Sequence, residues 1–207
     1  MIIAVIGLWS CGGRSARVTP EDPFASVVAA PLPVGSLAGS SALLMAVGGL
    51  VVGDSADPLA DLAVRRLALI DVANAALDTA LRRDAREVTW MGLPEQRRAA
   101  RRSPTLNVDP DRLPTVFLAG PGVQRVPEPL WSGIRTLVAM TGARMAIVPA
   151  AVRITGHAGA LSAEYVLVVV DARIGEVLWR GRAVGASSPT VEGALAGAAG
   201  AAAGGMH

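Results

Sequence analysis

The chain contains no lysine: all 19 basic side chains are arginine, set against 17 acidic ones for a net charge of +2. So balanced a chain carries no electrostatic footprint for nucleic acid. Aromatics at 3% leave few platforms on which bases could stack. Nucleic acid is therefore excluded as an expected partner. Cysteine occurs once, at Cys11, which rules out an intrachain disulfide framework and a cysteine-rich metal site. The two histidines, His157 and His207, show no His-x-x-x-His spacing, and there is no Cys-x-x-Cys, so no metal and no cofactor are expected.

The familiar catalytic signatures are missing too. Without lysine there is no phosphate loop ending in Gly-Lys-Ser/Thr. Val47-Gly-Gly-Leu-Val-Val-Gly53 lacks the prompt helix that a dinucleotide fingerprint requires. The serines at 40–41 and 187–188 sit in no nucleophile-elbow motif. Acidic residues come close in sequence at Asp54/Asp57, Asp109/Asp111 and Glu164/Asp171. A carboxylate-based hydrolase would need such a pair across a cleft.

What the chain has instead is apolar bulk. Hydrophobic residues make up 52% of 207, and 38 positions are alanine. The length fits one domain with appendages. The first eleven residues are apolar and end at Leu8-Trp9-Ser10-Cys11. The run is too short to span a bilayer, which takes about 20 residues, and reads as the apolar part of an export signal. Leu8-Trp9-Ser10-Cys11 resembles a bacterial lipoprotein box, in which Cys11 would be the lipidated residue. Residues 12–24 then read as a polar tether.

No charge occurs from Phe24 to Gly53. Ala25–Val34 reads as a strand held to an edge or bulge by Pro31 and Pro33. Residues 36–53 read as an apolar insertion, a mobile loop or short hairpin whose Leu43, Leu44 and Met45 are candidate partner contacts. Residues 57–83 are expected to be helical from Asp57-Pro58 onward, with Leu59, Ala63, Leu67, Ile70, Asn74, Leu77 and Leu81 on one face. A short strand, 86–91, leads to a basic helix carrying Arg97, Arg98, Arg101 and Arg102, the second candidate contact. The proline-rich stretch 103–128 should hold some helix near 110–118. A helix from Glu128-Pro129 ends at Gly142. Strands at 144–154, 163–171 and 175–184 follow, the last two joined by a turn at Gly175. In the last, Val177, Trp179 and Gly181 share a face, and Leu178 is an apolar exception among the polar residues opposite. Ser188-Pro189-Thr190 opens a terminal helix that should fray from Gly200.

The expected fold class is α/β: a small mixed sheet packed by helices, with a C-terminal β-hairpin and a terminal helix. The expected organisation is a signal segment at 1–11, a tether at 12–24, one domain at 25–199 and a frayed tail at 200–207. Four segments, Val27–Leu32, Ala60–Leu81, Gly142–Arg153 and the strand–turn–strand Val166–Trp179, carry a resemblance. They resemble the small α/β domain of bacterial envelope lipoproteins. That group includes the penicillin-binding-protein activator lipoprotein, the curli secretion lipoprotein and the N-terminal domain of the Tol-system propeller protein. Arg144 and Pro149 stand where the group usually has an acidic residue and a glycine.

The resemblance implies a non-enzymatic protein, anchored to the outer membrane through Cys11 and facing the periplasm. Its partner would be another envelope protein or itself, in an accessory role in envelope assembly. One alternative is a subunit of an oligomeric outer-membrane secretion channel, with 37–52 as a membrane hairpin. Leu43–Val47 lacks the alternation that hairpin needs. The other alternative is the hydrolase.

Overall fold

The computed structural model describes residues 24–53 and 62–204, apart from 26, 63 and 158. Its centre is a six-stranded mixed sheet. The strands are β1 (Ser41–Leu44), β2 (Leu50–Val52), β3 (Thr89–Met91), β4 (Met145–His157), β5 (Ala160–Asp171) and β6 (Glu176–Val184). Among the described residues the α-helices packed on it are α1 (Arg66–Asp84), α2 (Leu93–Arg102), α3 (Leu130–Thr141) and α4 (Val191–Ala203). The strand order is β3-β1-β4-β5-β6, and β2 pairs with β4 further along than β1 does. β1, β2, β3 and β4 are parallel, while β5 and β6 return antiparallel. The α/β class, the mixed sheet, the hairpin and the terminal helix are as expected.

The chain leaves β1 in two directions. It passes through α1 to β3 at one edge, then back through α2 and α3 to β4 on the other side of β1. Crossovers running in opposite directions keep one hand only by using opposite faces, and the core divides accordingly. One face buries Leu69, Ala73 and Leu77 of α1 and Leu195 of α4 against Leu44, Ile147 and Tyr165. The other buries Leu130, Ile134 and Leu137 of α3 against Leu43, Val148 and Val168. β4 and β5 are covered on both sides, which explains their near-continuous apolar runs. Tyr165 is fully buried, and its hydroxyl donates to the Ala73 carbonyl at 3.0 Å.

Helix boundaries follow local chemistry. Gly142 closes α3 at φ +72°, in the left-handed region that glycine enters without penalty. Thr190 caps α4, its hydroxyl accepting from the Gly193 N–H at 3.1 Å. The proline-rich stretch holds 3-10 turns at Pro104–Leu106 and Thr115–Ala119. The strand expected over Ala25–Val34 is reduced to an isolated bridge: residues 28–30 lie along the outer edge of β6, with Ala30 N–H donating to the Arg182 carbonyl at 3.1 Å, and Val34 begins a 3-10 turn. The expected helix start at Asp57-Pro58 lies outside the described residues.

Four further expectations are corrected. Residues 36–53 are not a free loop or hairpin: they supply β1 and β2, and β1 lies between β3 and β4. Leu43, Leu44 and Met45 are 0%, 4% and 1% exposed, so they form no exposed contact patch. An uncharged run buried on both faces reads the same in sequence as one displayed on a surface. Nor do residues 37–52 stand free as a membrane hairpin. Among the described residues no helix is long and apolar enough to cross a membrane.

Second, α1 buries Leu77 and Leu81 as expected, but the rest of its buried face is shifted from the expected one. Leu67 is 80% exposed, while Ala73 and Ala80 are buried. Small side chains let α1 approach the alanine-rich α4. Third, Val177 and Trp179 lie on opposite faces, Val177 packing on the α3 side and Trp179 on the α1/α4 side. The β5–β6 register shifts between Val169↔Trp179 and Val170↔Val177, which makes Leu178 an extra, bulged residue. Fourth, the end of α4 does not fray at Gly200: Ala202 and Ala203 are helical and fully buried. Residues 205–207 lie outside the described residues.

Two tests follow from this packing. An added Cβ on Gly48 would collide with the Thr115 hydroxyl and lie 2.6 Å from the Val116 N and 2.7 Å from the Ala150 carbonyl oxygen. Two of these obstacles are backbone, so Gly48→Ala should lower the urea-unfolding free energy by about 1–3 kcal/mol. Burial also pushes the phenol of Tyr165, the only tyrosine, well above its ordinary value of 10.0. The unfolded chain releases that proton from about pH 10 upward while the folded one retains it. The resulting stability is complete below pH 10 and declines as pH rises beyond it. Ultraviolet titration should show no tyrosinate step near pH 10 in the folded protein and a normal step in denaturant.

Candidate functional site

β4 is thirteen residues long, but its neighbour on one side is broken into β1 and β2. At the break the main chain kinks through residues 45–49. β4 carries its own irregularity there, between Pro149 and Ala151. Proline cannot donate in a central strand, so a bulge is the place that tolerates it. β3 also ends at this level, at Met91. The sheet therefore has a step: β1 and β3 stop, and β4 continues with β2 beside it.

The backbone groups exposed at the step are taken up by two side chains. Gln96 of α2 is fully buried, and its Nε2 donates to the carbonyls of Leu44 at 2.6 Å and Met91 at 2.9 Å. One amide thus ties together the ends of two parallel strands. From the opposite face, Asn74 of α1 accepts the Val47 N–H on its Oδ1 at 2.8 Å. Gly92 precedes α2 in extended conformation and Pro94 occupies its first turn, which aims Gln96 inward.

Over the step lies a groove of about 460 Å³ between α1 and α2. Leu44, Met45 and Leu77 reach its floor. One wall is the stripe Asp71, Asn74, Ala75, Asp78 and Thr79 of α1, and the other is Leu93, Pro94 and Arg97 of α2. Crevices beyond the carboxyl ends of parallel strands, where connections diverge to either side, are the usual ligand position in open α/β sheets. Arg82 links the two helices, bridging Asp78 at 2.8 Å and Glu95 at 3.2 Å. Its guanidinium is held more firmly protonated, chiefly by the hydrogen bond it donates to Asp78.

The arginines expected as a contact patch divide in two. Arg97 is held by a two-pronged pair with Asp111, at 2.9 and 2.7 Å, and that hydrogen bonding raises its pKa. Arg98 pairs with Glu95 at 2.9 Å. Arg101 and Arg102 are exposed in the last turn of α2 and form no salt bridge among the described residues. Cys11 lies outside the described residues. His157 is exposed at the end of β4.

Among the described residues the acidic pairs assemble no hydrolytic centre. Glu164 and Asp171 are seven residues apart on one strand, about 23 Å at ~3.3 Å per residue. Glu164 is instead buried between Arg153 and Arg182. Asp111 is taken by Arg97, and Asp109 faces Arg112 at 3.5 Å. Asp54 and Asp57 lie outside the described residues. Among the described residues no group of three or more His, Cys, Asp or Glu could hold a metal ion.

Sequence reasoning missed the groove. The spacing of Asp71, Asn74, Asp78 and Thr79 was a readable signal, a polar stripe along one side of the middle of the helix. Gln96 carried none, since an interior glutamine inside an arginine-rich helix looks like any solvated residue.

No family model and no curated protein matches the chain. Among solved structures it is similar to the LpoB C-terminal domain from Salmonella enterica, at 16% identity and TM-score 0.40, covering 71% of this chain and 82% of that one. It is similar to lipoprotein GNA1162 from Neisseria meningitidis, at 13% identity and TM-score 0.34, covering 72% and 81%. It is also similar to the PelC dodecamer from Paraburkholderia phytofirmans, at 9% and 0.36, covering 84% and 90%. Likenesses at these values carry no argument about function, and the architecture above stands on its own strand order and register.

The amide clamp makes a sharp prediction. Gln96→Glu replaces the donor with a carboxylate facing two carbonyl oxygens. It should cost about 3 kcal/mol or more at neutral pH, the range expected when a buried charge meets unsatisfied partners. The introduced carboxyl has a raised folded-state pKa, so the stability it retains is present at low pH and lost as pH rises. Urea unfolding should show partial recovery toward pH 4. Equal stability at pH 4 and 7 would count against the clamp.

Proposed function

We propose that this protein is a non-enzymatic envelope lipoprotein, anchored through Cys11 at the bacterial outer membrane, whose α/β domain works as a protein-interaction module in envelope assembly. The observation that carries the reading is Cys11 itself: the only cysteine, closing an apolar run and followed at once by Gly12-Gly13-Arg14-Ser15. With no second cysteine in the sequence, its thiol has no intrachain disulfide to form. Two or more acyl chains on it would hold the protein stably, at roughly 0.8 kcal/mol per buried CH₂.

The beginning of the domain supports this division. Phe24 is fully buried, with the Arg153 guanidinium 4.3 Å from its ring centroid. The polar stretch before it, 12–23, then serves as the tether. Extended, those residues reach at most about 40 Å at ~3.3–3.6 Å each. Confinement to a surface within that reach raises the effective concentration of the domain toward a fixed partner without any new contact.

The test is metabolic labelling with a fatty-acid probe in a bacterial host, using the gene with its natural upstream region. Label and membrane fractionation are expected in the wild type, and both should be lost in Cys11→Ala. An unlabelled wild-type protein would overturn the anchored reading.

A further inference from the structure

Resting on that reading of the domain as an interaction module, we infer that the groove between α1 and α2 receives a segment of a partner protein that presents a basic side chain beside an aliphatic one. The inference begins with what the groove no longer offers. The strand-end carbonyls of Leu44 and Met91 are held by Gln96, and the Val47 N–H by Asn74. An entering segment therefore finds no open main-chain ladder at the step, so recognition falls to side chains.

Their charges decide the sign. The groove's arginine, Arg97, is already neutralised by Asp111, and Arg82 by Asp78 and Glu95. Asp71 is exposed on the α1 wall and makes no salt bridge or hydrogen bond among the described residues. Asp71 is close enough to Arg97 to help raise its pKa, but Arg97 is already paired with Asp111, so the lining holds two carboxylates, Asp71 and Asp78, against one guanidinium, and the excess is negative. Thr79, exposed two turns along the same face, is likewise without a hydrogen bond among the described residues. Asn74 spends its carbonyl on Val47 and has its amide N–H groups left for a ligand carbonyl.

The floor supplies the aliphatic half. Met45 and Leu77 lie under the opening with Leu93 opposite, and methionine adapts readily to differently shaped side chains. The volume of about 460 Å³ lies inside the ~300–1,000 Å³ range of ligand clefts. An anionic segment would meet Asp71 and find Arg97 occupied, so the groove selects against it.

The probe is a fluorescein-labelled peptide, acetyl-Gly-Leu-Arg-Leu-Gly-amide, titrated against the purified full chain by anisotropy. A second peptide has glutamate in place of arginine. The arginine peptide should bind about tenfold tighter. Asp71→Arg should weaken it five- to tenfold, and Ala75→Trp, which fills the groove from an exposed position, about tenfold. Both substitutions are on the helix surface, so an unchanged urea midpoint confirms folding. Equal affinity for the two peptides, binding indifferent to Ala75→Trp, or no saturable binding up to about 1 mM would overturn the inference.

In cells, a photo-crosslinker at position 75 should attach to a basic segment and lose it with Asp71→Arg. Crosslinks from position 101 but not from 75 would refute the groove while leaving the interaction module standing. Loss of the fatty-acid label would refute the anchor without touching peptide binding.

Discussion

The fold depends on how one long strand is edged. β4 presents main-chain donors and acceptors along thirteen residues, while β1 and β2 together pair with six of them. Buried backbone groups left without partners cost too much to tolerate. Along β4 the break supplies its own partners: Met45 N–H donates to the Ile147 carbonyl, Gly48 N–H to that of Pro149, and the Gly49 carbonyl accepts from Val152 N–H. What remain are the Leu44 carbonyl and Val47 N–H at the break and the Met91 carbonyl at the end of β3, and these Gln96 and Asn74 satisfy, each from a helix belonging to a different crossover. The same two side chains thus join α1 and α2 to the sheet at the point where the sheet is weakest.

The groove follows from that solution. A continuous strand between β3 and β4 would have filled the space with backbone and side chains. Because β1 stops at Leu44, α1 and α2 stand apart over the step. The bridges from Arg82 to Asp78 and Glu95 then hold them at that separation. These surface pairs add little to global stability. Their effect is positional: they tie α1 to α2 beside the groove. A second arginine, Arg180 of β6, plays a comparable part in the proline-rich loop. Its guanidinium donates to the carbonyls of Leu118, Pro121 and Val123 at 3.1, 3.0 and 2.7 Å, with burial lowering its pKa.

Much of the fold was legible because local chemistry and tertiary context agreed. Gly142, Gly175 and Thr190 mark their turns and caps by mechanisms that need no knowledge of the rest of the chain. The valine runs of β4 and β5 could only be doubly buried strands. The failures share one cause, irregularity within regular elements. Leu178 broke the alternation of β6 because it is a bulge residue, and the expected face assignment failed one residue earlier, at Val177. Pro149 is a second bulge mark in a strand whose composition otherwise argues for regular pairing. Residues 36–53 were misjudged because glycine pairs and short apolar runs suit a loop as well as a kinked pair of strands, and only long-range pairing with β4 decides between them. Gln96 and Asn74 were invisible for the same reason: their partners lie 52 and 27 residues away.

The position of the groove relative to the start of the domain bears on how an anchored molecule would work. Phe24 stacks on Arg153, whose β2 partner is Val51. Arg153 in turn pairs with the buried Glu164, which also holds Arg182. Removing one member of such a set would leave an uncompensated charge in the interior, so the chain enters the domain at a fixed point. The groove floor at Leu44 is level with Ile147, six residues back along β4, or about 20 Å at ~3.3 Å per residue. In the proposed anchored molecule the Phe24 end would face the membrane and the groove would lie on the flank. That geometry would be set by the charged residues beneath Phe24, which fix where the chain enters the domain, rather than by the groove itself.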